Sequence, residues 1–161
     1  MNGSPLQTAM LAAIETELRL CVDTAFSGQP PEFKKMIDYS LGWDATAKSS
    51  GKRLRPLLLL EANHALGGDW QQALPAAAAV ELVHNFSLVH DDIQDRSPTR
   101  RGKETVWVKW GEAQAINAGD AMLAVASMEI LKWGGEIQNG ALAAQILHQA
   151  TFDLTGGQYL D

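Results

Sequence analysis

Three aspartates near the middle of the chain have a spacing that could collect a hard cation. Asp91, Asp92 and Asp95 form a DDxxD pattern. On a helix, Asp91 and Asp95 lie one turn apart, with their Cβ atoms about 5–6 Å from each other. Bare carboxylates at that separation repel, and Mg²⁺ relieves the repulsion by binding one or two of them together with water and phosphates. The triplet therefore predicts a magnesium site, with Asp92, rotated about 100° around the helix, in a supporting position. The alternative is that the triplet only ends a helix and faces solvent, although acidic residues at a helix C-terminus oppose the helix dipole.

Basic residues stand on both sides of this triplet in the sequence. The two clusters are Lys52, Arg53 and Arg55, and Arg100, Arg101 and Lys103. The first cluster opens a predicted helix, where free backbone N–H groups and the positive end of the helix dipole favour an anion. Arginine offers a forked set of donors to phosphate oxygens, and lysine offers a point charge. A solvated basic turn is the alternative for each cluster. A metal-bound diphosphate and a second one held by basic groups alone would use both.

One face of the acidic helix carries further polar residues. Glu81, His84, Leu88, Asp91 and Asp95 follow spacings of three, four, three and four, so they share a face. A lone histidine is more often a core residue than a ligand. Its place on the same face, two turns before Asp91, favours a functional role for His84.

The elements that must position these residues are helices. Apolar residues recur about once per turn and predict helices over about 5–26, 33–41, 56–66, 75–95, 112–133 and 140–161. Loops are expected at 48–51 and 96–105, with a break at Gly134–Gly135 and no convincing strand. Gly156–Gly157, inside the last helix, predicts a kink or a close approach of another backbone. Helices of this length with short connections predict an all-α, antiparallel bundle of about six helices.

Size and charge narrow the class of protein. The chain has 161 residues, which fits one domain, and a net charge of −6, which argues against general nucleic-acid binding. The single Cys21 fits a reducing, cytoplasmic compartment. No apolar run approaches the roughly 20 residues that a membrane-spanning helix needs, so we expect no transmembrane segment.

Five motifs in order resemble one enzyme family. They are GKRLRP at 51–56, ELVHNFSLVHDDIQD at 81–95, RRG at 100–102, NAGD at 117–120 and GGQYLD at 156–161. The set, which covers the chain from about Lys48 to its end, is similar to the trans-isoprenyl diphosphate synthases, or polyprenyl synthetases. The resemblance implies the isoprenoid synthase bundle and a Mg²⁺-dependent condensation of an allylic diphosphate with isopentenyl diphosphate. These enzymes are usually dimeric, so a homo-oligomer is expected.

The resemblance also implies roles for individual residues. Isopentenyl diphosphate would be held by Lys52, Arg55, His84 and Arg101, with Arg53 as a weaker candidate. The metal would be held by Asp91, Asp92 and Asp95. Arg100 and Gln158 would contact the allylic diphosphate, and Asp161 would support the same region. Asp91, Asp95 and Arg100 would be the catalytic residues.

Product length is expected to depend on the residues four and five positions before Asp91, which are Ser87 and Phe86. In the family the growing chain runs beside this helix, so a bulky Phe86 would act as a floor. This pattern resembles synthases that make C20 products, with C15 as the next choice.

The sequence departs from the family in one respect. A second aspartate-rich motif and a Lys-Thr pair, which follow GGQxxD in the family, do not occur before Asp161. We therefore expect 1–161 to be the N-terminal portion of a single synthase domain, inactive alone and prone to associate with itself or with a chain that supplies the missing half. A remnant of a longer enzyme is favoured over a naturally short subunit. A non-catalytic diphosphate-binding or interaction module is the alternative. Terpene cyclases share DDxxD, but GKRLRP and His84 favour a condensing enzyme.

Overall fold

The computed structural model describes residues 4–44, 51–133 and 137–160. Most of the loop expected at 48–51, the Gly134–Gly135 break and Asp161 lie outside these ranges. Within them the chain forms seven helices and one hairpin: α1 (Pro5–Ala25), α2 (Pro31–Ser40), α3 (Leu54–Ala65), α4 (Leu74–Gln94), β1 (Thr99–Arg100), β2 (Lys103–Glu104), α5 (Val106–Trp110), α6 (Glu112–Ile130) and α7 (Ile137–Leu160). The prediction of an all-α class is confirmed.

The first helix begins at a capping box. Ser4 Oγ accepts a hydrogen bond from the Gln7 backbone N–H at 3.2 Å, and Gln7 Oε1 accepts one from the Ser4 N–H at 3.0 Å. Met10, Ile14 and Leu18 then recur every four residues and are fully buried. The apolar stripe of α1 therefore faces the core, as its period predicts.

The core is built around the pairing of α4 with α6. Four consecutive alanines of α4, Ala76–Ala79, are buried, and α6 contributes the small residues Ala115, Ala118 and Ala126. Small side chains let the two helix axes approach closely. Leu82 of α4 and Met122 of α6 are fully buried in the same core. This packing fixes the face of α4 that carries the acidic residues.

The segment 96–105 is not a simple loop, and the expectation of no strand is wrong there. Thr99 pairs with Glu104 and Arg100 with Lys103 in a short antiparallel hairpin. Arg101 and Gly102 form its turn with φ of 55° and 77°, because two-residue hairpins favour positive φ at both positions. Strands of two residues are too short to show an alternating pattern.

Two helix boundaries also differ from the sequence expectation. Gly111, at φ 90°, separates α6 from the short helix α5, so the described residues form seven helices rather than about six. The last helix starts at Ile137, not near 140, and continues through Gly156–Gly157. A Cβ added at either glycine would meet no described atom within 4 Å, so the close backbone approach predicted there is wrong for the described residues.

The last helix packs through a narrow stripe. Ala143, Leu147 and Thr151 are buried, whereas Phe152 and Tyr159 are 72% and 89% exposed. Among the described residues, no helix combines the length and the apolar character needed to cross a membrane.

Candidate functional site

A cavity of about 330 Å³ opens at the start of α3. We call it the cationic cavity; its lining residues are Gly51, Lys52, Arg53, Leu54, Arg55, Glu81, His84 and Arg101. They come from the turn before α3, from α4 and from the hairpin turn. The four residues expected to hold isopentenyl diphosphate therefore lie together, although up to 49 positions separate them in sequence. Glu81 is the one carboxylate among the lining residues.

The side chain of Arg53 does not face the cavity as a free cation. The residue is 5% exposed, and each nitrogen of its guanidinium has a protein partner. Nε donates to Glu15 Oε2 at 3.2 Å, Nη1 to Glu81 Oε1 at 2.9 Å and Nη2 to the Leu41 carbonyl at 2.9 Å. Arg53 was expected as a weaker candidate for contacting isopentenyl diphosphate. In the structure its guanidinium instead pairs with groups inside the protein.

The backbone around the cavity is strained at two arginines. Arg53 has φ 46° and ψ 38°, and Arg101 has φ 55°; both are left-handed conformations that cost an L-residue about 1–2 kcal/mol. Gly51 adopts φ 84°, a conformation that favours glycine, and a Cβ there would lie 3.1 Å from Arg101 Nη1. Such strain persists where surrounding contacts hold it, often at functional sites.

Arg55 and His84 meet at the wall of the cavity. Arg55 Nη1 lies 3.2 Å from His84 Nε2. A guanidinium can only donate, so Nε2 is the acceptor and the neutral ring carries its proton on Nδ1. Burial lowers the pKa of His84, and the positive charge of Arg55 lowers it further, while Glu81 acts in the opposite direction. His84 is therefore neutral at pH 7, and a bound anion would favour its protonation.

Asp92 and Arg100 are paired with each other. Arg100 Nε donates to Asp92 Oδ1 at 2.8 Å, which ties β1 to α4. Asp92 is 4% exposed, and this burial raises the pKa of its carboxyl group, although the hydrogen bond from Arg100 opposes the shift. A residue expected at the metal and one expected at the allylic diphosphate thus contact each other directly.

The other two aspartates of the triplet lie at the end of α4. Burial raises the pKa of the partly buried Asp91, Arg100 opposes this, and the negative charge of Asp95 adds to it. Asp95 is exposed at the C-cap. In the described part of the chain, no three acidic, histidine or cysteine side chains converge as a metal site. Carboxylate oxygens one turn apart nevertheless fit a cation such as Mg²⁺ that completes its shell with water and phosphate.

A second cavity of about 210 Å³ lies between α4 and α7. We call it the α4–α7 cavity; its lining residues are Phe86, Ser87, His90, Asp91, Gln94, Leu154, Thr155, Gln158 and Tyr159. It brings Asp91 and Gln158 together with both residues expected to set product length. Asp95 and Arg100 do not line it.

His90 is not among the residues that the sequence singled out, yet the structure gives it several partners. Its ring packs edge-on against Phe86 with centroids 4.8 Å apart. Nε2 lies 3.3 Å from the Ile116 carbonyl and 3.6 Å from Asp120 Oδ1. A Cβ at Gly119 would collide with the imidazole, so this glycine makes room for it. The NAGD motif was the available signal, since its glycine and aspartate both contact His90.

Comparison with known proteins identifies relatives of this chain. Residues 32–161 match the family described as polyprenyl synthetase. The chain is similar to the (2E,6E)-farnesyl diphosphate synthase of Mycobacterium tuberculosis strain H37Rv, with 43% identity over 136 residues, which is 81% of this chain and 37% of that protein. It is also similar to the geranylgeranyl diphosphate synthase of Methanosarcina mazei, with 46% identity over 113 residues, covering 70% and 35%.

Solved structures give the same result for the fold. The geranylgeranyl pyrophosphate synthetase of the archaeon Geoglobus acetivorans aligns with a TM-score of 0.77 at 35% identity, over 92% of this chain and 48% of that structure. The isoprenoid synthase type of bundle is therefore confirmed. The chain spans less than half the length of each of these proteins.

Proposed function

The chain belongs to the polyprenyl synthetase family, and we propose that it is part of a Mg²⁺-dependent prenyltransferase. The proposed reaction condenses an allylic diphosphate with isopentenyl diphosphate to give a longer trans-polyprenyl diphosphate. The observation that carries the proposal is the cationic cavity, where basic residues from three separate segments line one space. In this proposal residues 1–161 are the N-terminal portion of one synthase domain.

Isopentenyl diphosphate would bind in the cationic cavity without a metal. Lys52 and Arg55 are exposed at its rim, and Arg101 faces them from the hairpin turn. The only lining carboxylate, Glu81, already accepts a hydrogen bond from Arg53. The cavity therefore offers mainly positive charge to an incoming anion, and His84 can gain a proton when the anion arrives.

The allylic diphosphate would bind beside Asp91 and Gln158 in the α4–α7 cavity. The candidate magnesium ligands are Asp91 and the two other aspartates of the triplet, Asp92 and Asp95, which do not line this cavity. Bound Mg²⁺ would supply positive charge that stabilises the departing pyrophosphate. The allylic C–O bond breaks, and its electron pair leaves with pyrophosphate. The alkene of isopentenyl diphosphate attacks the allylic cation, forms the new C–C bond and then loses a proton. Arg100 would stabilise charge on the leaving group.

Apolar side chains of the bundle would keep water from the cation. Phe86 is nearly buried and is braced by His90, so we propose that it forms the floor of the chain-length pocket, with C20 favoured over C15. In a full-length enzyme that carries this half, Phe86→Ala should lengthen the product; an unchanged product spectrum would count against the floor.

Calorimetry on the chain tests the proposal. Isopentenyl diphosphate should bind equally well with Mg²⁺ or with EDTA, whereas farnesyl diphosphate should bind more tightly with Mg²⁺. Equal binding of both ligands in both conditions would overturn the assignment of the two sites. A cytoplasmic location and a dimer remain predictions, to be checked by fractionation and by light scattering.

A non-catalytic diphosphate-binding module is the second candidate. It is favoured by the lack of a converged three-ligand metal site among the described residues. Labelled isopentenyl diphosphate separates the two. The chain alone should be inactive, and product should form after mixing with a chain that carries the second aspartate-rich motif. Binding without turnover in that mixture would favour the module.

A further inference from the structure

Arg53 lies between two residues proposed to bind a diphosphate, yet its guanidinium is already paired with groups inside the protein. Lys52 and Arg55 are exposed at the cationic cavity, whereas Arg53 is buried. The backbone of Arg53 is left-handed, at φ 46° and ψ 38°. The geometry points to Arg53 as a positioning residue: it fixes where Lys52 and Arg55 stand and does not itself bind the diphosphate. This inference rests on the proposed function of the cavity.

The first support is the spread of its hydrogen bonds. The three nitrogens of the guanidinium reach Glu15 of α1, the Leu41 carbonyl just after α2, and Glu81 of α4. A rigid planar fork with three anchors on three elements defines one orientation. A lysine at this position would keep the charge but could not make the same set of contacts.

The second support is the neighbourhood of Glu81. Its Oε1 accepts from Arg53 Nη1 at 2.9 Å and from Asn85 Nδ2 at 3.1 Å, and Asn85 also donates to the Glu81 carbonyl at 2.8 Å. Glu81 is buried one turn before His84 on α4. Arg53 thus connects the turn before α3 to the helix that presents His84. The Arg53–Glu81 ion pair also balances the negative charge of Glu81, the one carboxylate among the residues that line the cavity.

The third support is the strained backbone. The turn contains Gly51 at φ 84° and Arg53 at φ 46°, and Gly51 approaches Arg101 closely. Such a turn relaxes unless tertiary contacts hold it. The contacts of Arg53 are internal to the protein and exist without a ligand. The cavity is therefore preorganised before the diphosphate arrives, which reduces the ordering cost of binding.

An NMR titration with inorganic pyrophosphate in EDTA tests the inference on the unmodified chain. The Nε–H signal of Arg55 should shift strongly, and so should the Cε–H signals of Lys52, which lie next to its ammonium group. The Nε–H signal of buried Arg53 should shift less than about a third as much, since its partners do not change. A shift of Arg53 equal to or larger than that of Arg55 would make it a direct ligand and overturn the inference.

A pair of variants provides a second test of the inference. Arg53→Lys should weaken pyrophosphate binding at least about tenfold, as expected when binding groups are misplaced, with the helical circular dichroism unchanged. Arg19→Lys is the matched control, because Arg19 also contacts Glu15, at 3.4 Å, but does not line the cavity. It should bind as the unmodified chain does. If Arg53→Lys binds pyrophosphate as tightly as the unmodified chain does, the inference about Arg53 is overturned, whereas the proposed function of the cavity is not. If the unmodified chain shows no response to pyrophosphate, the proposed function fails and the inference fails with it.

Discussion

The cationic cavity and the acidic end of α4 differ in how far the protein has organised them. At the cavity, three segments converge, and buried ion pairs hold the turn that carries Lys52 and Arg55. At the acidic end, Asp91 is partly buried, Asp95 is exposed, and Tyr159 on the neighbouring helix is almost fully exposed. The cationic cavity is therefore held by several contacts inside the described residues, whereas at the acidic end the Asp92–Arg100 pair holds only one of the three aspartates.

Like charges lie close together in both regions, but neighbouring groups limit their repulsion to different extents. In the cavity, the neutral form of His84 and the Arg53–Glu81 pair limit the net charge. At the acidic end, the charge of Asp95 contributes to the raised pKa of Asp91. The first region is ready for an anion, whereas the second needs a cation to bring its carboxylates together.

The strongest way to break this comparison is to remove the two rim cations. We expect Lys52→Met with Arg55→Met to weaken pyrophosphate binding in EDTA by about a hundredfold or more. Each charged hydrogen bond contributes about 1.5–3 kcal/mol, so two give at least about 3 kcal/mol. Calorimetry measures the change. Lys35→Gln is the control, because Lys35 is an exposed cation outside the cavity and should have no effect. A loss below threefold for the double variant would contradict a binding role for the cavity.

The next test compares stability between the regions. Glu81→Ala should lower the free energy of unfolding by about 3 kcal/mol, near the low end for breaking a buried ion pair, because Glu15 and the Leu41 carbonyl still bind Arg53. Asp95→Ala should change it by less than about 0.5 kcal/mol, since Asp95 is an exposed acid.

Urea unfolding followed by circular dichroism measures both variants. Equal losses of stability in Glu81→Ala and Asp95→Ala would mean that the two regions are equally held, which contradicts the comparison.

The sequence predicted the long helices well because one apolar residue per turn is a strong signal over five or six turns. The helix expected at 75–95 is Leu74–Gln94, and the one at 5–26 is Pro5–Ala25. The short helix Val106–Trp110 was missed, since five residues are too few for a period to appear. The hairpin at 99–104 was missed for the same reason.

The site was predictable only in part. Motif positions named Lys52, Arg55, His84 and Arg101, which line one cavity. The partners of Arg53 were not predictable, because Glu15 and Glu81 are 38 and 28 positions away and meet it only through the packing of α1 and α4. Sequence shows that a residue can carry charge, but it does not show whether the charge faces a ligand or another side chain.

A third test sharpens the metal dependence of the acidic end. With Mg²⁺ present, Asp91→Asn with Asp95→Asn should weaken binding of farnesyl diphosphate about tenfold, in the range of altered metal sites. The same variant should bind pyrophosphate normally in EDTA, because neither aspartate lines the cationic cavity. Titrations with and without Mg²⁺ give both numbers. Equal weakening in EDTA would show that the two regions are not independent.

The smallest expected effect concerns His84. Its pKa in the folded protein is lowered from about 6.5, first by burial and then by Arg55, so below pH 6.5 the unfolded chain binds more protons than the folded one. The free energy of unfolding should therefore fall as pH drops from about 7 through 6.5 towards the folded pKa. His84→Gln should lose this part of the pH dependence. Pyrophosphate should raise the pKa of His84, because a nearby anion favours the protonated ring. Following the His84 Cε1–H signal against pH, with and without pyrophosphate, measures both effects. A pKa that pyrophosphate leaves unchanged would place the anion away from His84 and leave Lys52, Arg55 and Arg101 as its expected contacts.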